Sequence, residues 1–387
     1  MAKIRKRKLV SNKGKTTRWV YLVDYRPPGD KRRAKQFPTR REAEAWMHQA
    51  MVDIKDGLHV PDSKSVTLKD AGKMWLGAVE FTRQRRSATI KQYKTHLNRH
   101  ICDRGIGIGG VKLSQLTSAG IVKFHQDLAK KKSLSTADKV LKSLKSILKE
   151  AQLRGLIKVN VAMPVGMYKR SITNKYARIP PREDVVTLLR GAPEKLWRPM
   201  LYVAALCGLR AGELRALTWA KVNLKSGIIK VDQAADLNSE ITTPKSQAGY
   251  RDVPMPPSVV AELRRWKLAC PSSPLKLVFP NRAGNVLAQN AIYRNLWGKL
   301  MRQFGFIVGG ENVNGKIEGG RPAFRFHDLR HVAASLYIKS GADPKRLSVI
   351  MGHSSIKITF DLYGHLWEDL EGDKALAQGA EKALFSD

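Results

Sequence analysis

The sequence predicts a multidomain protein: a small α+β N-terminal domain made of a three-stranded sheet plus a helix, an all-α domain after it, and a mixed, mainly α C-terminal domain with a small β-sheet. Three observations support this. The 387 residues exceed what a single hydrophobic core usually organises. Two stretches without periodicity, one around Pro61 and one running from Val161 to Asp184, read as linkers. The hydrophobic period also changes at each break, from alternation to a helical repeat and then to a mixture of both.

The first module spans residues 1–57. RWVYLVDYR alternates and is rich in β-formers, PPGD at 27–30 has turn chemistry, and KRRAKQF reads as the returning strand. Thr39 suits an N-cap for REAEAWMHQAMVDIKDG, where Ala43, Trp46, Met47 and Met51 fall at helical spacing and Gly57 can end the helix. The first 41 residues hold 15 Lys and Arg against Asp24 and Asp30, so a large part of the excess positive charge is concentrated here.

The second module spans residues 66–160. VTLKDAGKMWLGAVEF, ATIKQYKTHLNRHI, SAGIVKFHQDLAKK and STADKVLKSLKSILKEAQLRGLI each carry a helical repeat, which predicts a four-helix unit. It holds 20 Lys and Arg against 6 Asp and Glu. Lys142, Lys145 and Lys149 each follow a leucine by one residue, about 100° round the helix, and form a basic flank beside the apolar stripe.

The third module spans residues 176–387. PPREDVVTLLRGAP opens it as a helix with acids in its first turn. The apolar helix RPMLYVAALCGL follows, then a β-rich stretch (SGIIKVDQA, TTPKSQAGYRDVPM), then helices to Asp387.

Composition narrows the partner. Seventy Lys and Arg against 33 Asp and Glu leave a net charge of +37, beside 43% hydrophobic residues, so the chain can fold and its natural partner is a polyanion. Cys102, Cys207 and Cys270 form neither a CxxC pair nor an even framework, which argues against a disulfide scaffold or a thiolate zinc site and fits a reducing cytoplasm. The longest apolar run, Met200 to Leu209, is too short to span a membrane. The basic start MAKIRKRKLVSNKGK has no apolar stretch behind it, so a secretory signal is not expected.

Several motifs are decoys. Gly105, Gly107 and Gly110 match GxGxxG but follow a helix-like segment, so a loop between helices is expected instead of a dinucleotide site. His327 and His331 stand four apart in FHDLRH, but the glutamate of HExxH is missing, so zinc is not expected. GGENVNGKIEGG at 309–320 lacks the Lys-Ser/Thr of a phosphate loop and reads as a mobile loop or hairpin.

The informative residues are dispersed over the third module: Arg210 and Glu213 in GLRAGEL, Lys245 in TPKSQAGY, His327 and Arg330 in FHDLRH, His353 in MGHSS, and Tyr363 in DLYGHL. Arg210 ends an apolar helix three residues before Glu213, which predicts a partly buried guanidinium directed by a carboxylate. Such burial is costly unless the group binds something. His327 and Arg330 share a helix face. Arginine suits a phosphodiester because its planar fork donates two parallel hydrogen bonds and keeps its charge. A lysine or histidine can protonate a leaving 5′-oxygen, and a tyrosine nucleophile can store the bond as a phosphotyrosyl ester. Lys230 and Tyr337 are the alternatives to Lys245 and Tyr363.

These residues, in this order, resemble the tyrosine recombinase (phage integrase) family. GLRAGEL resembles its first arginine box, and HDLRH, MGHSS and Tyr363, ten residues past His353, resemble its second. The resemblance implies that Arg210, Arg330 and His353 contact the scissile phosphate, that Lys245 is the general acid, that His327 assists proton transfer, and that Tyr363 forms a 3′-phosphotyrosyl link with Glu213 orienting Arg210. It implies no metal or nucleotide cofactor. It also implies an integrase that binds double-stranded DNA at core and arm attachment sites through residues 66–160 and 1–57, as a homotetramer, with an excisionase and a DNA-bending host protein as further partners in a bacterial cytoplasm. The C-terminal LWEDLEGDKALAQGAEKALF is expected to dock on a neighbouring protomer. Lys221, Met351 and Pro244 depart from the family pattern without removing a catalytic group. A Xer-type resolvase and a non-catalytic DNA-binding regulator are the rival readings.

Overall fold

The computed structural model describes residues 3–10, 17–26, 32–55, 64–82, 87–168, 176–193, 195–244, 246–313, 316–367 and 370–385. Its contacts separate into two units, Met1–Arg170 and Ser171–Asp387. The PPGD turn, Gly57 and Pro61 lie outside the described residues, as does Lys245.

In the first unit β1 (Lys3–Val10), β2 (Thr17–Tyr25) and β3 (Arg33–Phe37) form an antiparallel sheet in that order, followed by α1 (Arg40–Lys55). Thr39 accepts a hydrogen bond from Glu42 N at 3.2 Å, as an N-cap does. Trp46 packs edge-on against Tyr25 at 5.1 Å and tilted against Phe37 at 5.5 Å, joining helix to sheet. Ala43 and Ala50 are buried, whereas Met51, expected on the inner face, is exposed. The small Ala50, seven residues after Ala43, completes the stripe because two turns of helix return to the same face. Lys3, Arg5, Lys6, Arg7 and Lys8 of β1 are all exposed.

Further along this unit come α2 (Leu68–Phe81), α3 (Ser87–Thr95), α4 (Ser118–Lys131) and α5 (Leu134–Leu153). The second of these continues past Thr95 as a π-helical segment, His96–Ile101, which buries Leu97 and Ile101. Thr67, Thr117 and Ser133 cap their helices through side-chain oxygens. Leu141, Leu144 and Leu148 are buried together with Ile121, Phe124 and Leu128. The expected basic flank needs one correction. Lys142 and Lys149 are exposed, but Lys145 donates to Met163 O at 3.2 Å and Val165 O at 2.8 Å. Those two carbonyls belong to the irregular chain after α5 and need a donor, so this lysine is a structural tie. The glycine decoy is a turn: Asp103 accepts from Gly105 N and Ile106 N at 2.9 and 3.0 Å.

The second unit begins with α6 (Arg182–Gly191), α7 (Trp197–Cys207) and α8 (Ala211–Ala216). Then come β4 (Val222–Asn223), β5 (Ile228–Val231), β6 (Ala234–Ala235), β7 (Ile241–Thr242) and β8 (Arg251–Pro254). β4, β5 and β8 make an antiparallel sheet in that order, and β6 pairs with β7. After it run α9 (Pro257–Ala269), α10 (Gln289–Ala291) and α11 (Gly298–Gln303), the last two joined by a π-helical segment, Ile292–Trp297. The glycine-rich excursion is a hairpin, β9 (Ile307–Val313) with β10 (Lys316–Pro322), rather longer than 309–320. Four helices finish the chain: α12 (Asp328–Lys339), α13 (Pro344–Met351), α14 (Ile356–Tyr363) and α15 (Leu370–Phe385).

One core holds this unit. Met200, Leu201, Val203 and Ala204 of α7 pack with Leu329, Ala333 and Ala334 of α12, and with Leu347 and Met351 of α13. Trp297 anchors the run into α12: its indole N–H donates to Phe324 O at 2.9 Å, and its ring meets Phe324 and Phe326 edge-on. No helix among the described residues is long and apolar enough to cross a membrane.

Candidate active site

The site begins where α7 stops. Gly208 adopts a left-handed φ of +67°, which ends the helix, and a Cβ there would meet Met351 Cε at 2.8 Å. Two residues later Arg210 caps α8. Its backbone N–H donates to Glu213 Oε2 at 2.8 Å, and its Nη1 to Glu213 Oε1 at 2.8 Å. This is the carboxylate-directed arginine that the sequence predicts.

Glu213 has a second partner that the sequence reading did not single out. Buried Arg251, at the start of β8, donates Nη1 to Oε1 at 3.0 Å and Nη2 to Oε2 at 2.8 Å. Burial opposes charge on Glu213, yet the hydrogen bonds and fields of Arg251, with the fields of Arg210 and Arg330, outweigh it and hold the carboxyl down to about 2. The carboxylate is thus ionised and links two arginines.

The C-terminus of α13 supplies the other half of the frame. Three successive carbonyls there each accept from a different arginine: Ile350 O from Arg251 Nε at 2.7 Å, Met351 O from Arg330 Nη2, and Gly352 O from Arg210 Nη2 at 2.6 Å. A helix end leaves such carbonyls without intrahelical donors and concentrates negative partial charge, so cations are drawn to it. Arg330 also donates Nη1 to Gly208 O. Burial first, and then the neighbouring Arg210, pull Arg330 down to about 9.

The remaining groups lie on α12, the turn after α13, and α14. Arg325 N donates to Asp328 Oδ2 at 2.7 Å, tightening the start of α12 beside His327. His327 is exposed overall, and its pKa is lowered by partial desolvation first and by the fields of Arg330 and Arg325 next. His353 is buried, its Nδ1 2.8 Å from Thr359 Oγ1, and burial followed by the fields of Arg330 and Arg210 pushes it down to about 3. Tyr363 has no solvent exposure, and its ring lies nearly parallel to that of His353, 13° between planes. The phenol oxygen is 2.7 Å from His331 Nδ1, and burial pushes its pKa up to about 12.

Residues 182–369 match the profile of the phage integrase family. The chain is a tyrosine recombinase of the phage integrase family. It is 25% identical over 367 residues to a XerC-like tyrosine recombinase of Caldanaerobacter subterraneus subsp. tengcongensis, covering 85% of this chain and 86% of that one. It is 26% identical over 337 residues to a putative prophage phiRv2 integrase of Mycobacterium tuberculosis, covering 83% and 82%. Among solved structures, a Tn1549 transposon integrase in complex with transposon right end DNA superposes with a TM-score of 0.62 at 19% identity, over 82% of this chain and 100% of that one. A lambda integrase tetramer bound to a Holliday junction superposes with a TM-score of 0.59 at 18% identity, over 94% and 97%. At those identities the likeness is one of fold.

The recombinase therefore brings five of its six expected catalytic side chains into described positions, and the sixth, Lys245, lies outside the described residues. The rival residues have other surroundings. Tyr337 directs its hydroxyl to Pro254 O at 3.4 Å, and Lys230 is an exposed residue of β5. Buried Arg215 holds the β6–β7 turn, Nη1 donating to Asp236 O and Nη2 to Ser239 Oγ, both at 3.0 Å. It thereby fixes the hairpin leading to Lys245, a role with no sequence signal beyond an arginine directly after GLRAGEL, on an otherwise inward helix face. Lys221, a departure from the family pattern, pairs with Asp232.

Proposed function

We propose that this recombinase is an integrase of a phage or other mobile element, and that Tyr363 cuts and rejoins DNA through a 3′-phosphotyrosyl intermediate. The observation that supports it best is the frame of arginines around one helix end, with the tyrosine packed beside it. Arg210 and Arg330 use part of each guanidinium on fixed carbonyls, so the remaining N–H groups are held in place for the non-bridging oxygens of a phosphodiester. His353 adds a third donor. Attack by the Tyr363 oxygen breaks the bond from phosphorus to the 5′-oxygen, which Lys245 protonates, with His327 assisting. The ester keeps the bond energy, so the 5′-hydroxyl of a second strand can reverse the step without a nucleotide.

Residues 1–57 are read as the arm-site module, 66–160 as the core-site module and 176–387 as the catalytic module. The partners are core and arm sites in double-stranded DNA, three further protomers, an excisionase and a DNA-bending host protein, in the cytoplasm of a bacterium. α15 supports the assembly reading: Leu376, Leu384 and Phe385 are 73%, 76% and 78% exposed, an apolar set suited to a neighbouring protomer. A Xer-type resolvase would share the active site, and the XerC of Xanthomonas axonopodis pv. citri is 31% identical over 44% of this chain. The basic sheet-and-helix module at residues 1–57 weighs for an integrase.

The test uses supercoiled DNA carrying the sequence that flanks this gene, incubated in EDTA without nucleotide with the wild type or Tyr363→Phe. Covalent adducts are then sought after denaturation. An adduct from the wild type alone supports the reading, and adducts from both move the nucleophile elsewhere. DNA binding without an adduct from either, on a suicide duplex with a defined core site, would favour the regulator.

A further inference from the structure

We infer that His331 is a catalytic residue of this recombinase, the base that takes the phenolic proton of Tyr363 as its oxygen attacks phosphorus. The inference rests on the reading of Tyr363 as nucleophile and assigns a role to a histidine outside the expected site set.

The geometry carries it. His331 Nδ1 and the Tyr363 oxygen are 2.7 Å apart, within proton-transfer reach, and both residues are buried. With the proton of His331 on Nε2, the phenol donates to Nδ1. Proton loss in that direction leaves the oxygen's other lone pair for phosphorus. The pair also sits in the reacting cluster: Arg330 is one residue before His331 on α12, and His353 lies parallel to the Tyr363 ring. The charged and titratable groups facing His331 are His327, Asp328, Arg330 and Arg325 from its own helix and the turn before it, and Tyr363 from α14. Burial first, then the fields of His327, Arg330 and Arg325, outweigh the opposing carboxylate of Asp328 and push His331 down to about 4, so it is neutral and able to accept at physiological pH.

The step balances. The tyrosine O–H bond breaks and its proton passes to Nδ1. A bond forms from the phenol oxygen to phosphorus, and the bond from phosphorus to the 5′-oxygen breaks, its proton coming from the general acid. Rejoining reverses each transfer, and His331 returns the proton to the departing phenol.

The experiment is single-turnover cleavage of a suicide duplex by wild type, His331→Asn and Tyr363→Phe, with binding of the same duplex measured by anisotropy. Asparagine places an amide oxygen near the position of Nδ1, so it can accept the hydrogen bond but not the proton. Where it weakens binding, His331→Gln serves as the second variant. Expected is an adduct rate reduced about 100-fold at neutral pH with unchanged binding, a rate that climbs with pH where the wild type is level, and a defect that persists on a 5′-bridging phosphorothiolate duplex, whose leaving group needs no acid. Wild-type or faster cleavage by His331→Asn would overturn the assignment, and so would a defect abolished by the phosphorothiolate. An adduct from Tyr363→Phe would instead overturn the nucleophile on which the assignment rests.

Discussion

Arg251 holds both oxygens of the Glu213 carboxylate, Nη1 on Oε1 at 3.0 Å and Nη2 on Oε2 at 2.8 Å, and both residues are buried. Removing Arg251 takes two hydrogen bonds from a buried carboxylate, which keeps only its Arg210 contacts, and leaves Ile350 O without its guanidinium donor. Arg251→Ala should therefore destabilise the second unit by about 3–5 kcal/mol, and Arg251→Lys should recover little because a point charge cannot occupy both oxygens. Urea unfolding of the full chain gives the value. A loss below about 1 kcal/mol would mean that the pair contributes little to the fold.

The same carboxylate predicts an acid response. Its folded pKa of about 2 lies below the ordinary 4.5, so its contribution is complete above about pH 4.5 and is lost as pH falls towards 2, roughly 3 kcal/mol in all. His331 and His353, lowered to about 4 and about 3, act in the same direction from higher pH: below about 6.5 the unfolded chain takes up protons that the folded chain refuses. Stability should fall progressively from pH 6.5 downward, and Glu213→Gln should flatten the part below 4.5. Urea midpoints across pH 7 to 3 check this.

Gly352 joins two demands at one residue. Its φ is +63°, a Cβ would meet Ala248 O at 2.8 Å, and its carbonyl accepts from Arg210. Gly352→Ala should cost about 1–2 kcal/mol for the left-handed backbone alone. It should also slow cleavage at least ~10-fold by displacing the carbonyl that aims Arg210. Cleavage at the wild-type rate on the suicide duplex would show that the arginine does not depend on it.

Charge and contact are separable in the helical module. Affinity for a core duplex should fall ~10³-fold or more between ~50 and ~200 mM salt if about ten phosphates are neutralised. Lys145→Met should leave that slope unchanged, because its ammonium is spent on Met163 O and Val165 O, while lowering stability by about 1–2 kcal/mol. A shallower slope for this variant would place Lys145 on DNA.

Truncation after Trp367 removes α15 and its exposed Leu376, Leu384 and Phe385. Size exclusion on core DNA should then show loss of the tetramer with retention of single-protomer binding. An unchanged tetramer would remove α15 from the assembly.

Much of this was legible because local rules and function agreed. Thr39 and the leucines of α5 announced their helices, and the three-residue step from Arg210 to Glu213 announced their pair. What stayed hidden depends on partners far apart in the chain. Arg251 lies on the inward parity of β8 with Val253, a position that alternation assigns to an apolar residue, and only the fold shows that it faces a carboxylate 38 residues earlier. His331 stands out in the sequence only by its four-residue spacing from His327, since its partner Tyr363 lies 32 residues on. Lys145 follows its leucine like its neighbours, and nothing local reveals the carbonyls that curl back to it.

The three carbonyls that end α13 also set an order in time. A ribosome completes Arg251 99 residues before it reaches Ile350, and Arg210 142 residues before it reaches Gly352, whose oxygens orient them. A nascent chain that has already completed its basic N-terminal modules therefore has no assembled arginine frame, and neither does a fragment clipped before α13. The basic modules emerge early in synthesis, and the frame of arginines is completed only with the last few helices.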